Sequence, residues 1–494
     1  MNKKYILTID QGTTSTRSII FDQNGKIVGL SQMEFSQICR KSGWVEHNPE
    51  EIFETVVQTM VGSLKNANLS WEDIKGIGIT NQRETTIIWD KKTGIPIHNA
   101  ICWQSRQSQS ICEKWKKEGI EELVFQKTGL LINPYFSASK IVWLLKNVKG
   151  AYEKALNGEL LFGTIDSYLV WKLSNQKYHI TDVSNASRTL LFNINNVAWD
   201  DELLTKFDIP KNILPKVVDT SGINAYSIYF KGYEIPIAAI VGDQQASLFG
   251  QCCFEKGDTK STYGTGCFIL MNTKNQLILS KKGLLSTVAW KIKGKVEYAL
   301  EGSVFVAGSA IQWLRDGLDF FEKSSDCEKM IRTDGSNGVY LVPAFVGLGT
   351  PYWDNDARGA IFGITRASTK EHITVAALEA IAYQACDVME VMQEEAASPI
   401  QYLGVDGGAS VNNYLMQFQA DIMNTKLIRP MCHETTALGA MYLAGLALGV
   451  YTSLDEIKNM HQVEQVFVAD EDDAWRNKKI KGWKKAVYAT MQYK

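Results

Sequence analysis

The chain has 494 residues, more than one hydrophobic core supports, since single cores stop growing near ~250–300 residues. Its 52 basic and 54 acidic residues are interspersed and leave a net charge of -2, which excludes a strong electrostatic pull toward nucleic acid or an anionic membrane. The longest apolar stretch, Ala437–Val450, is interrupted by glycines and falls short of the ~18–20 residues of a membrane span.

Met1-Asn2-Lys3-Lys4 leads directly into a strand and leaves no room for a secretory leader. Nine cysteines without a Cys-x-x-Cys pair read as reduced thiols of a cytoplasmic protein. The strand Tyr5–Ile9 is followed by Asp10-Gln11-Gly12-Thr13-Thr14-Ser15-Thr16-Arg17 and a return strand, Ser18–Phe21. Such a Gly/Thr hairpin gathers backbone N–H groups and hydroxyls around one point. That suits phosphate, with the strand-closing Asp10 placed to hold its magnesium. An Asn24-Gly25 turn then leads to the strand Ile27–Leu30. Asn48, Pro49 and Glu51 predict a capped helix start, with Glu51 completing a capping box, and Ile52, Val56, Thr59 and Ser63 continue its inner face.

The strand Ile74–Ile79 runs into Asn81-Gln82-Arg83-Glu84-Thr85-Thr86. Arg donates and Glu accepts, so the pair fits a polyol whose hydroxyls do both; the alternative is a surface ion pair. The strand Ile237–Val241 runs into Gly242-Asp243-Gln244-Gln245, where Asp243 is either a base or the N-cap of the next helix. Near Gly250 the pattern starts again. Ser261–Phe268 is a second strand breaking at Tyr263-Gly264-Thr265-Gly266. Ser368 and Glu371 predict a capping box opening a helix to about Ala397. The strand Tyr402–Val405 ends at Asp406-Gly407-Gly408, either a simple turn or a platform on which a nucleotide lies against bare backbone. Helices follow at about 413–423 and 437–449. The expected fold class is α/β, two ribonuclease H-like domains flanking a central cleft, over 1–249 and 250–494.

These clusters, in this order, closely resemble the FGGY family of carbohydrate kinases, within the superfold of sugar kinases, actin and the Hsp70 chaperones. Further matches are Gly43-Trp44-Val45-Glu46-His47, Asn133-Pro134-Tyr135-Phe136, Asn185-Ala186-Ser187-Arg188, Gln312-Trp313-Leu314-Arg315 and Thr435-Thr436-Ala437-Leu438-Gly439, spanning residue 5 to about 450. Asn81-Gln82-Arg83-Glu84-Thr85 is the specific part, because it resembles the members that phosphorylate glycerol rather than pentuloses or hexonic acids.

The resemblance implies ATP and Mg2+ as cofactors, and glycerol as substrate held by Arg83, Glu84, Tyr135, Asp243 and Gln244 under the rings of Trp103 and Phe268. It implies that Thr13, Thr14, Ser15, Arg17 and Thr265 line the phosphates, and that Gly308, Gln312, Gly408 and Asn412 surround the nucleotide. Asp10 and Asp243 would stand near the metal, with Asp243 as general base. The alternatives are a relative acting on another polyol or ketose and, from a different class, an ATP-driven clamp binding protein partners. A homodimer or homotetramer is expected. His47 is expected to pack or hydrogen-bond in the core. Gly232-Tyr233-Glu234 puts a carboxylate where bisphosphate-inhibited relatives carry arginine, and Ser221–Pro236 holds no histidine of the kind that other relatives phosphorylate for activation, so the resemblance implies no response to either signal there.

Overall fold

Apolar runs punctuated by Gly/Thr and Asp/Gly turns become thirteen strands of one sheet. In the computed structural model, which describes residues 4–354 and 356–493, these are Tyr5–Gln11 (β1), Ser15–Phe21 (β2), Ile27–Glu34 (β3), Ile74–Asn81 (β4), Ser221–Ser227 (β5), Ile235–Gly242 (β6), Thr259–Tyr263 (β7), Cys267–Lys274 (β8), Leu285–Ile292 (β9), Lys295–Val304 (β10), Tyr402–Asp406 (β11), Lys426–Pro430 (β12) and Val463–Phe467 (β13). Residues 1–3, part of the expectation about a leader, lie outside the described residues.

The strand order is β13-β12-β11-β7-β8-β10-β9-β5-β6-β4-β1-β2-β3. The first half starts with the antiparallel meander β1-β2-β3, continues with β4 and β6 parallel to β1, and ends on the antiparallel β5. The second half repeats this with β7-β8-β10, the parallel β11 and β12, and the antiparallel β13. The expected ribonuclease H-like duplication is therefore present, with β9 added. It fuses the halves at one point, Ser221 opposite Ile292. Fully buried Leu7, Ile9, Ile77, Ile79 and Ile240 make the first half's core, and Ile269, Leu300, Leu403 and Val405 serve the second.

The helices that matter here are Pro49–Ala67 (α1), Ser137–Asn147 (α2), Asp243–Gly250 (α3), Gly308–Asp316 (α4), Lys370–Ala396 (α5), Asn413–Met423 (α6) and Thr435–Ala447 (α7). Asn48 caps α1 by accepting from Glu50 N at 3.0 Å. The expected capping box is not formed: Glu51 turns away and accepts from Ser36 N and Oγ at 2.9 Å, tying the helix to the chain after β3. At α5 the cap is one residue later than expected. Thr369 is the N-cap, and His372 Nδ1 rather than Glu371 accepts from its backbone N at 3.1 Å. Helix α7 begins and ends two residues before the expected 437–449.

Helices α3 and α7, one after β6 and one after β12, occupy equivalent places in the two halves and cross on glycine. A Cβ on Gly250 would lie 2.0 Å from Thr435 O, and one on Gly439 1.8 Å from Ala246 O. Backbone touches backbone there, with the last residue of α3 against the first residue of α7. No helix among the described residues is long and apolar enough to cross a membrane.

Candidate active site

Strands β1, β4 and β6 run parallel and end side by side, so the segments after them converge. The cleft there opens into a cavity of about 760 Å³. Thr13, Thr14, Arg83, Glu84, Trp103, Tyr135, Asp243, Gln244, Thr265 and Phe268, from both halves, all line it. The seven residues expected around the polyol are thus brought together. Trp103 stands edge-on to Tyr135 and Phe268, with ring centroids 5.5 and 6.1 Å away.

Arg83 is buried, and its partners are not the expected ones. Its Nε lies 3.2 Å from Asp243 Oδ1, its two terminal nitrogens donate to Glu301 at 2.6 and 3.1 Å, and one also donates to Gln245 Oε1 at 3.2 Å. Glu84 is 4.0 Å from Arg83 Nε and is instead held by Arg188 Nε at 2.7 Å. Arg188 reaches Glu301 as well, at 2.8 Å. Arg83 and Glu84 are therefore neither a surface pair nor each other's main partner. They belong to a buried cluster of two guanidiniums and three carboxylates. Burial would raise Glu301, but the two arginines outweigh it and hold its carboxyl below the usual range. Burial raises Glu84 and Asp243, against the pull of Arg83 on both, of Arg188 on Glu84 and of Lys260 on Asp243.

Glu84 has φ +61°, a left-handed backbone that few side-chain-bearing residues adopt. That turn sends its carbonyl back into the protein. There it accepts from Thr86 Oγ1 at 3.0 Å, Ser137 Oγ at 3.1 Å and the fully buried Lys140 Nζ at 3.3 Å. Asp243 does not cap α3. Gly242 is the N-cap residue, and Asp243 Oδ1 accepts from the next backbone N, of Gln244, at 2.7 Å.

The first hairpin is pinned by side chains. Trp103 Nε1 donates to Thr13 Oγ1 at 2.9 Å, Gln82 Nε2 to Gly12 O at 2.9 Å and Gln37 Nε2 to Thr13 O at 3.1 Å. Ser15 Oγ accepts from Gln32 at 3.2 Å, and Arg17 pairs with Glu434 at 3.0 Å, at the start of α7, so neither lines the cavity. Asp10 is raised to about 7, chiefly by burial and further by Glu434 and Asp243, with Arg17 opposing. The second hairpin is shaped by glycine. A Cβ on Gly266 would meet Val304 O at 2.6 Å, and one on Gly308, which opens α4, would meet Gly264 O at 2.6 Å. Gly408 faces open space, Gln312 is exposed on α4, and Asn412 caps α6 by accepting from Leu415 N at 2.9 Å. These three stand apart from the cavity lining. His47 is buried, hydrogen-bonded to Gln37 at 2.9 Å and lowered to about 4 by burial, as a core histidine should be.

Models of the FGGY family of carbohydrate kinases match the chain twice, the N-terminal domain over residues 5–250 and the C-terminal domain over 259–448. The chain belongs to this family. Glycerol kinase of Brevibacillus brevis is 58% identical over 497 residues, covering 100% of this chain and 99% of that protein. Glycerol kinase of Bacillus licheniformis is 56% identical, with full coverage of both. Among solved structures, Plasmodium falciparum glycerol kinase with ADP superposes with a TM-score of 0.92 at 37% identity, over 98% of each chain. The FGGY resemblance seen in the motifs therefore extends over the whole chain and its fold.

Sequence reasoning gave no role to Glu301, Lys260, Lys140 or Arg188. The signal for the two in strands was a single charged residue in an otherwise uncharged segment, Glu301 in Ala299–Val304 and Lys260 in Thr259–Tyr263. Both are fully buried.

Proposed function

We propose that the chain transfers the γ-phosphoryl group of ATP to a terminal hydroxyl of glycerol, giving sn-glycerol 3-phosphate and ADP. The observation that carries this reading is the meeting, in one cavity, of Arg83, Glu84, Asp243 and Gln244 with the rings of Trp103, Tyr135 and Phe268. A three-carbon polyol needs polar groups for its hydroxyls and apolar faces for its carbons, and the cavity offers both. Full-length identity to glycerol kinases supports the choice of polyol.

Phosphoryl transfer depends on positioning and charge more than on covalent chemistry. Asp243 takes the proton of the attacking hydroxyl as its oxygen bonds to phosphorus and the bond from phosphorus to the β,γ-bridging oxygen breaks. Burial that raises this carboxylate makes it a better proton acceptor, while Arg83 keeps it ionised and fixed in direction. Thr13, Thr14 and Thr265, which line the cavity, are the residues that would line the phosphate path.

Asp10 and Asp243 are the residues that would hold the magnesium accompanying the nucleotide, or its water shell. The fit is chemical: Asp10 feels the negative charge of both Asp243 and Glu434, which a divalent cation relieves. Bound magnesium neutralises the phosphate charge that builds up during transfer. The reaction is cytoplasmic, in keeping with nine free thiols, and the homodimer or homotetramer expected from the family is open to sedimentation.

ADP release measured across glycerol, other polyols and ketoses, with magnesium, tests the reading. Turnover with glycerol is expected to exceed every other acceptor. ATP hydrolysis that ignores added polyol would point instead to an actin-like clamp.

A further inference from the structure

Behind the polyol face of the cavity lies Lys260, in β7, with no exposed surface. Its ammonium donates to Gln244 Oε1 at 2.5 Å and to Thr262 Oγ1 at 2.9 Å. An ammonium group carries three donors and no acceptor. The amide of Gln244 must therefore turn its oxygen toward Lys260, which leaves the Nε2 donors for the cavity that Gln244 lines. The adjacent Gln245 shows the contrast: its oxygen accepts from Arg83 at 3.2 Å and its nitrogen donates to Val288 O at 3.2 Å, so both ends are used inside the protein. Gln244 has one end held and one end presented.

The same lysine sets the sense of a longer chain. Thr262 Oγ1, having accepted from Lys260, gives its own proton to Ser247 Oγ at 3.2 Å. Ser247 in turn donates to Asp406 Oδ2 at 2.8 Å. Every hydroxyl in the row points away from Lys260, and none competes for the Gln244 oxygen.

We propose that Lys260 is a positioning residue for substrate choice, fixing the Gln244 amide so that it offers hydrogen-bond donors, and not its acceptor, to a hydroxyl oxygen of the polyol. The proposal rests on the reading of this cavity as a polyol site. Lys260 touches no substrate atom. Its effect on glycerol KM should therefore pass through Gln244, while its pull on Asp243 would register in kcat.

A double-mutant cycle measures that. The proteins are wild type, Lys260→Met, Gln244→Ala and the double variant, each assayed for glycerol KM, ATP KM and kcat, with thermal melts as a separate readout. Lys260→Met and Gln244→Ala should each raise glycerol KM about tenfold while ATP KM stays within about twofold, and the double variant should be no worse than Gln244→Ala alone. Multiplied effects in the double variant, or an unchanged glycerol KM in Lys260→Met, would overturn the proposal.

Gln244→Glu keeps the lysine and serves where Lys260→Met fails to fold. A carboxylate there pairs with Lys260 and shows the cavity an acceptor, so glycerol KM should rise as in Gln244→Ala without loss of melting temperature. A wild-type KM in Gln244→Glu would sink the donor assignment. Absence of glycerol turnover in the wild type would instead remove the polyol reading itself.

Discussion

The two ends of the cleft are built on opposite plans. The end proposed for the polyol is made of charged side chains, with Arg83 paired to Glu84, Asp243 and Glu301 and Arg188 to Glu84 and Glu301 at 2.6 to 4.0 Å. The end proposed for the nucleotide is made of backbone, with Gly266, Gly308 and Gly407 where side chains would collide or strain the chain. The difference follows from the ligands. A small neutral polyol must be recognised by groups of opposite hydrogen-bonding sense at fixed places. A polyphosphate brings its own charge and needs close approach to N–H groups and a metal. One end should therefore be broken by removing a group, the other by adding one.

The largest effect is expected from Asp243→Asn, which keeps the shape of the polyol end and removes its proton acceptor. General-base catalysis is worth about 10²–10⁴-fold, so kcat should fall by that order while the melting curve is retained. A kcat near wild type would move the base elsewhere.

Arg83→Ala comes next. It withdraws the partner of Asp243 and leaves Glu301 to Arg188 alone. Breaking a buried pair from one side costs about 3–5 kcal/mol, so denaturant unfolding should shift together with a large rise in glycerol KM. Nucleotide affinity, titrated without glycerol, should barely move; equal losses at both ends would erase the contrast.

Gly407→Ala tests the opposite end by addition. Gly407 has φ +87°, and a Cβ there would lie 2.6 Å from Tyr263 O. The expected cost is about 1–3 kcal/mol, taken out of ATP binding and stability and not out of glycerol binding. A weakened glycerol site with intact ATP binding would reverse the assignment of the ends.

The remaining effect concerns pH. Asp10 rises from 3.8 to about 7 in the folded protein, so the folded state holds its proton more tightly than the unfolded chain. The stability from this group is whole below 3.8, declines as pH rises, and is gone above about 7. In metal-free protein, Asp10→Asn should flatten stability across that window, and magnesium with nucleotide should reduce the wild-type slope. A wild-type slope preserved in Asp10→Asn would place the titration on another carboxyl, with Asp166, also at about 7, the next to examine.

Much of this was legible in the sequence because the informative residues sit at strand ends within a few positions of a Gly/Thr or Asp/Gly turn. Both hairpins, the strand-end pairs and the duplicated halves follow from such local patterns. The partnerships did not. Arg83 and Glu301 are 218 residues apart and Arg188 and Glu84 are 104 apart, and no local pattern joins them. Opposite charges next to each other in sequence, Arg83 and Glu84, looked like a pair, but the left-handed turn at Glu84 sends the two side chains to different partners. The helix caps slipped for a milder reason: several residues near each start have cap-competent side chains, and tertiary bonds such as Glu51 to Ser36 decide among them.

Glu301 lies in β10 of the second half yet neutralises two arginines of the first. The two halves are copies in topology but are no longer separable parts. A fragment ending near residue 250 would carry Arg83 and Arg188 into its interior with no Glu301 to meet them, so it should fail to fold alone and recover only when the missing half is supplied. Whatever ancestral unit was doubled, the present chain has traded away its divisibility.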